Sequence, residues 1–298
     1  MCRLLGVVSR DHSSLLEMVP EELPLFTALS ERHKDGWGVA WFAGDRAGAV
    51  EGDVRPTVRK GIDTARASNE YGGACAEADG EIVIAHLRRA SEGLGLSLAN
   101  THPFVEGEVA FAHNGQFDMP EGLRAWVLEQ GGRPAEGTTD SELYFSLITL
   151  HAREMGWARA IQQAARDLTV RIPELGGRYP EALNCLLLTP TALIAYAQSD
   201  PAQLFPESTW DTYDLRYLAE DGRVIVSSTG YPQDGFATVE HGQAIVVHRG
   251  SLEVEVLAPL PDFEIAPAHV EGEAAWAASR PEAPGAQPSL ARLAVAGR

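Results

Sequence analysis

Cysteine is scarce in this chain: three residues among 298, Cys2, Cys75 and Cys185, far apart and in no CxxC pair. That spacing excludes a disulfide framework and a zinc knuckle, and it points to a reducing compartment. Basic charge is also short. Lys and Arg number 24 against 42 Asp and Glu, a formal net charge of −18, and no Lys/Arg cluster offsets the deficit locally. A phosphate backbone or an anionic membrane surface would be repelled, so neither nucleic acid nor membrane is expected as a partner. Long apolar runs are missing too. The longest, 182–197, contains Asn184 and is broken by Thr189-Pro190-Thr191, which is too interrupted to span a bilayer. The opening MCRLLGVVSRDHSS meets Asp11 before any apolar core of a secretory signal can form. The expectation is a cytoplasmic protein whose partner is a small molecule or another protein.

What is present is ordinary globular material, 45% hydrophobic and 22% charged, enough apolar surface for a sizeable core. Eight short runs rich in β-branched and aromatic residues have strand length: 4–9, 37–43, 82–87, 109–113, 185–188, 192–197, 224–228 and 244–247. Most are apolar on both faces, so these strands should be covered on both sides, as in sheets packed on each other with helices outside. Helices are expected at Pro120–Gln130, which stops at Gly131-Gly132; at Leu143–Glu154, opened by the capping box Thr139-Asp-Ser-Glu142; and over Trp157, Ile161, Ala164, Ala165 and Leu168. Residues 266–298 hold 11 Ala, 4 Pro and 3 Gly. That composition packs poorly and is expected to be a flexible tail behind a folded unit of residues 1–265.

The most informative position is Cys2. It follows the initiator Met directly, and removal of Met1 would give it a free α-amino group. An α-amine with a pKa of about 7.7–8.0 is partly unprotonated at neutral pH and can accept the thiol proton, so one residue supplies both base and nucleophile. The plain alternative is a small buried hydrophobe. Farther along, Ile84-Ala-His-Leu-Arg-Arg-Ala-Ser91 ends an apolar run with two Arg, and Arg88 is suited to clamp a carboxylate bidentately unless it is merely solvated or ion-paired. Val109-Ala-Phe-Ala-His-Asn-Gly-Gln116 ends with Asn114-Gly115. A side-chain amide beside an unobstructed backbone N–H offers two donors to an oxyanion, although Asn-Gly is also a common hairpin turn. Asp140 stands in a helical first turn, where it can hold an ammonium or simply complement the helix dipole. His86, His102 and His113 lie 16 and 11 residues apart with no i,i+4 pair, so histidines that support the core or the site are expected rather than a metal centre.

Taken in order, these residues resemble the class II glutamine amidotransferases of the N-terminal nucleophile hydrolase superfamily. The resemblance runs through Met1-Cys-Arg-Leu-Leu-Gly6, Asp35-Gly-Trp-Gly-Val-Ala-Trp41, His86-Leu-Arg-Arg-Ala-Ser91, Asn100-Thr-His-Pro-Phe104, Phe111-Ala-His-Asn-Gly115 and Thr139-Asp-Ser-Glu142. Val226-Ser-Ser-Thr229 and Gly242-Gln243 look like closing strands. It implies an α+β fold, a four-layer αββα sandwich of two stacked, mainly antiparallel sheets. It also implies Cys2 as nucleophile and base, Asn114 and Gly115 as the oxyanion hole, Arg88 as partner of a glutamyl α-carboxylate and Asp140 as partner of the α-ammonium. Ser91 matches a Thr of many relatives that assists with the carboxylate. Glu92 departs from the His often found next, and nothing is carried over to it.

Within the family the residues resemble the short stand-alone branch with Asp-Gly-Trp-Gly, a branch that includes the γ-glutamyl amidohydrolase of ergothioneine synthesis. No cofactor and no metal are implied. The leading expectation is an amidohydrolase that cleaves the γ-amide of glutamine or of a γ-glutamyl compound through a thioester. The alternatives are a glutaminase subunit that passes ammonia to a separate synthase, and an inactive γ-glutamyl-binding protein.

Overall fold

The structure is a computed structural model that describes residues 2–43, 54–91, 93–200 and 212–261. The expected tail, 266–298, lies outside the described residues, as do Met1 and Glu92. In chain order the elements are β1 (Arg3–Ser14), α1 (Leu15–Met18), α2 (Glu22–Ala28), β2 (Trp37–Trp41), β3 (Thr57–Gly61), α3 (Asn69–Glu77), β4 (Asp79–Leu87), β5 (Phe104–Glu106), β6 (Val109–Gln116) and α4 (Leu123–Glu129). They continue with α5 (Asp140–His151), α6 (Trp157–Glu174), β7 (Ala182–Leu188), β8 (Ala192–Tyr196), β9 (Leu215–Glu220), β10 (Arg223–Ser228), β11 (Ala237–Thr238), β12 (Ala244–His248) and β13 (Val254–Leu257).

The strands form a seven-stranded sheet, β11-β9-β10-β1-β4-β2-β3, and a six-stranded sheet, β13-β12-β8-β7-β6-β5. Neighbouring strands pair antiparallel throughout both sheets. Residues two apart on a strand share a face, and the cores follow that parity. Leu4 and Val8 of β1, Ile82 and Ile84 of β4, Val224 and Val226 of β10, Ala110 and Ala112 of β6, and Leu186 and Leu188 of β7 fill the gap between the sheets. The intervening Leu5, Val7, Val83, Ala85 and Ile225 pack outward with α1–α3 residues such as Phe26 and Tyr71. On the other side Phe111, Leu183, Cys185 and Leu187 pack with α4–α6. Helices thus cover both outer faces, giving the αββα sandwich. The sheets approach closely at Gly6, where a Cβ would stand 2.7 Å from Leu193 Cδ2.

All eight expected strands are present, several of them longer than their apolar runs. Thr139 caps α5 by accepting from the Glu142 backbone N–H. The Glu142 carboxylate does not complete the expected capping box. It accepts instead from the backbone N–H groups of Glu136 and Gly137, at 2.6 and 2.7 Å, because that preceding loop folds back over the helix start and has unpaired donors of its own.

Candidate active site

The inter-sheet parity of the strands carries past their apolar cores to one end of the gap. Beyond Leu4 on β1 comes Cys2, beyond Ile84 on β4 come His86 and Arg88, beyond Val226 on β10 comes Ser228, beyond Ala112 on β6 comes Asn114, and beyond Leu186 on β7 comes Asn184. Leu4 is paired with His86 and Arg3 with Leu87, so Cys2 and Arg88 leave their adjacent strands side by side. Both are buried, at 8% and 3% exposure, whereas Arg89 is exposed. The two consecutive arginines of the motif thus differ in burial, Arg88 continuing the inter-sheet face of His86.

Cys2 Sγ donates toward the Arg89 carbonyl at 3.8 Å, and the Cys2 carbonyl accepts from Arg3 Nη1 at 2.9 Å. Burial draws the Arg88 guanidinium below its ordinary pKa, while the neighbouring Cys2 thiol group and Asp35 carboxylate act in the opposite direction. Its Nη1 and Nη2 reach the carbonyls of Asp35 and Gly95, each at 3.4 Å.

Asn114 and Gly115 lie inside β6, in register with Asn184 and Leu183 of β7, and form no hairpin turn. Asn114 is fully buried. Its Nδ2 makes one long contact, 3.4 Å to Ser228 Oγ, and its Oδ1 has no hydrogen-bond partner among the described residues. Ser228 Oγ also accepts from the Leu4 N–H at 3.1 Å, tying β10 to the start of β1. A Cβ at Gly115 would overlap the Ala182 carbonyl oxygen and stand 2.5 Å from His113 Nε2, so only glycine fits there.

Asp140 reaches the same end from α5. Its Oδ2 accepts from the Phe117 N–H at 3.0 Å, and its Oδ1 accepts from the Ser141 N–H at 2.8 Å. Ser141 Oγ meets His113 Nδ1 at 2.9 Å, and His113 Nε2 meets the Ala182 carbonyl at 3.2 Å. Burial lowers the His113 pKa against the pull of Asp140. Ser91 Oγ donates to Gln116 Oε1 at 3.0 Å, linking the segment after β4 to the end of β6. The structure thus brings Cys2, Arg88, Ser91, Asn114, Gly115 and Asp140 to one end of the sandwich.

The three histidines are used differently. His86 and His102 lie against each other with ring centroids 4.4 Å apart and planes tilted by 40°, while His113 is engaged with Ser141 and Ala182. Among the described residues no group of three or more His, Cys, Asp or Glu is arranged to hold a metal ion.

Residues to which the sequence assigned no role also meet here. Tyr213 donates to Glu181 Oε1 at 2.8 Å, and its carbonyl accepts a short hydrogen bond from Asn184 Nδ2. Burial raises the Glu181 carboxyl above its ordinary range. Asn100 uses both ends of its amide on Thr138, which braces the loop that delivers Asp140. Gly38 lies against the His102 carbonyl with no room for a Cβ, so two of the glycine- and proline-bearing motifs are one packing contact. Ser228 was the most accessible of these from sequence, since it continues the apolar parity of Val224 and Val226.

The chain is 33% identical over 204 residues to an uncharacterised protein of Methanocaldococcus jannaschii, covering 66% of this chain and 50% of that one. A probable glutamine amidotransferase of Saccharomyces cerevisiae is 28% identical over 41% of this chain and 34% of its own length. Glutamine–fructose-6-phosphate aminotransferase of Brucella suis is 29% identical over 60% of this chain and 26% of its own. The match therefore spans half or less of each of these relatives. Among solved structures, a glutamine aminotransferase class-II domain protein from Silicibacter pomeroyi superposes with a TM-score of 0.62 at 17% identity, covering 87% of this chain and all of that one. The glutamine phosphoribosylpyrophosphate amidotransferase of B. subtilis superposes with a TM-score of 0.56 at 17% identity, over 86% and 49%, so the fold is shared at low identity. No helix of the described residues is long and apolar enough to cross a membrane. The family of class-II glutamine amidotransferases matches residues 1–261, and this chain belongs to it.

Proposed function

We propose that the chain is an amidohydrolase that cleaves the γ-amide bond of a γ-glutamyl compound or of glutamine, with residues 1–265 as the catalytic unit. Removal of Met1 frees the Cys2 α-amine. The thiol proton passes to that amine as Sγ attacks the γ-carbonyl carbon, and the tetrahedral oxyanion accepts from Asn114 Nδ2 and the Gly115 N–H. The amine then hands its proton to the leaving nitrogen, the C–N bond breaks, and a γ-glutamyl thioester remains. Water adds to the thioester, the C–S bond breaks, and glutamate leaves with the thiol restored. Arg88 pairs with the α-carboxylate through its planar fork, assisted by Ser91, and Asp140 pairs with the α-ammonium.

The observation that carries this reading is the meeting of a buried Cys2, a buried Arg88 and a buried Asn114, whose Nδ2 makes only one long contact, at one end of the inter-sheet gap. A thiol, a cation and an amide donor are three of the groups that attack on a glutamyl amide calls for, alongside the α-amine as base. The relatives whose names record an aminotransferase support a second reading, a glutaminase that passes ammonia to a synthase partner.

The test is turnover of glutamine and a panel of γ-glutamyl amides by wild type, Cys2→Ser and Cys2→Ala, together with the intact mass. The mature chain is expected to begin at Cys2, and both variants are expected to fold and to lose turnover, Ala essentially all of it. Full activity with Met1 retained would overturn the single-residue base. Glutamine outranking every other amide in kcat/KM, with a rate that rises on adding a synthase, would favour ammonia transfer.

A further inference from the structure

The Asp35-Gly-Trp-Gly motif has no role in the chemistry above, yet its carboxylate lies in contact with the segment that holds Arg88. The β2–β4 ladder pairs Trp37 with Leu87 and then continues past both strand ends: the Asp35 N–H donates to the Arg88 carbonyl at 3.0 Å, and the Arg88 N–H donates to the Gly36 carbonyl at 2.8 Å. At the next step the two chains diverge, and the Asp35 side chain takes over from the ladder. Its Oδ2 accepts from the Ala90 N–H at 2.9 Å, while its carbonyl accepts from Arg88 Nη1 at 3.4 Å. The Arg88–Ala90 segment is thus held at its first and third residues by one aspartate. The residue between them, Arg89, presents the carbonyl that Cys2 Sγ approaches at 3.8 Å.

The backbone next to Asp35 is built for this approach. Gly36 has φ +137° and lies against the Gly61 carbonyl, where a Cβ would stand 2.8 Å away, so a larger residue would move Asp35 off the segment. Trp37 is anchored behind it by Nε1 donating to Asp63 Oδ1 at 2.8 Å. The bond from the Ala90 N–H to the Asp35 side chain replaces a ladder bond that Ala90 can no longer make.

Resting on the reading of Arg88 as the glutamyl carboxylate's partner, we propose that Asp35 is a positioning residue: it latches the Arg88–Ala90 segment so that the guanidinium is presented to substrate beside the Cys2 thiol. The role is that of a hydrogen-bond acceptor. Asparagine at this position keeps an acceptor oxygen and should keep the latch, whereas alanine removes it and lets the segment and guanidinium wander, a misplacement that costs about tenfold to hundredfold in rate.

Two electrophiles separate the possibilities. A diazoketone analogue of glutamine must use Arg88 to reach Cys2; iodoacetamide need not. Wild type, Asp35→Asn and Asp35→Ala are labelled with each, Cys2 modification is read by mass, and thermal midpoints are recorded. Asp35→Ala is expected to weaken saturable binding of the glutamine analogue at least tenfold, Asp35→Asn to stay within about threefold of wild type, and iodoacetamide labelling to stay within about threefold in all three. Wild-type affinity in Asp35→Ala, equal impairment of Asn and Ala, or equal slowing of both electrophiles would overturn the latch. Failure of the analogue to label wild-type Cys2 would overturn the reading of the site itself, and the latch with it.

Discussion

Asn114 stands directly opposite Asn184 across the β6–β7 ladder, and the two amides are used in opposite ways. Asn184 is committed at both ends, with Oδ1 accepting from the Gln198 N–H at 2.7 Å and Nδ2 donating to the Tyr213 carbonyl. Asn114 has an unpartnered Oδ1 and one long contact through Nδ2. Asn184 joins β7 to the segments after β8 and before β9, and Asn114 keeps donor capacity at the Cys2 end of the gap.

The two asparagines should therefore fail differently. Asn114→Ala is expected to lower the rate of thioester formation by roughly 2.7–4 kcal/mol of transition-state stabilisation, with little change in substrate affinity. Asn184→Ala leaves a buried N–H and a buried carbonyl unpaired, and is expected to lose about 1–3 kcal/mol of stability with a nearly normal rate per folded molecule. Single-turnover kinetics and urea titrations on both variants check this; the reverse assignment would remove Asn114 from the oxyanion hole.

Arg88→Lys is expected to raise KM for γ-glutamyl substrates tenfold or more while the protein stays folded, because a point charge cannot reproduce a planar fork. The buried position makes the exchange harsher, since the ammonium would be held where Nη1 and Nη2 now reach the Asp35 and Gly95 carbonyls. Unchanged affinity in a substrate titration would take Arg88 out of the site. Arg89→Lys, on the exposed neighbour, serves as the internal comparison and should be silent.

The buried histidines make the fold acid-sensitive. Burial lowers His86 to about 3, His102 well below its ordinary value, and His113 in the same direction. In the unfolded chain each takes up a proton near pH 6.5, whereas the folded chain resists. Their contribution is therefore fully present above about pH 6.5 and is lost as pH falls toward the folded values, at up to about 1.4 kcal/mol per pH unit for each proton. Urea titrations between pH 7 and 5.5 should show this slope, and His86→Gln should reduce it by about one proton. A flat profile would refute neutral burial.

Gly115→Ala should destabilise the fold by about 1–3 kcal/mol or prevent folding, since the new Cβ meets the backbone of β7 at Ala182 and the His113 ring. Gly73→Ala is the control. That glycine lies exposed within α3, with nothing within 4 Å of the place a methyl group would take, so alanine should add about 0.5–1 kcal/mol through helix propensity. Thermal midpoints of the two variants should move in opposite directions.

Local pattern was sufficient wherever an element satisfied itself. The runs at 4–9, 82–87, 109–113 and 224–228 are apolar on both faces because each strand is sandwiched, and burial on both sides is a property that sequence records directly. It was insufficient where the neighbours decide. Helix α3, NEYGGACAE, has two glycines and little apolar periodicity, and is held by Tyr71, Ala74 and Cys75 packing into the outer core and by Ser68 accepting from the Tyr71 N–H. The polar strands β3 (TVRKG), at one edge of its sheet, and β9 (LRYLAE), next to the short strand at the other edge, form because an ordered neighbour offers them a ladder. The same division runs through the site. Sequence alone set the residue types, a second-position Cys, the Arg88-Arg89 pair, Asn114-Gly115 and a helix-first Asp140, since each chemistry depends on a local motif. Tertiary structure decided which arginine is buried, that Asn-Gly is strand rather than turn, and that Ser228, 224 residues from Leu4, binds the start of β1. Those outcomes depend on strand order and register, which arise from contacts among segments that no local window of sequence contains.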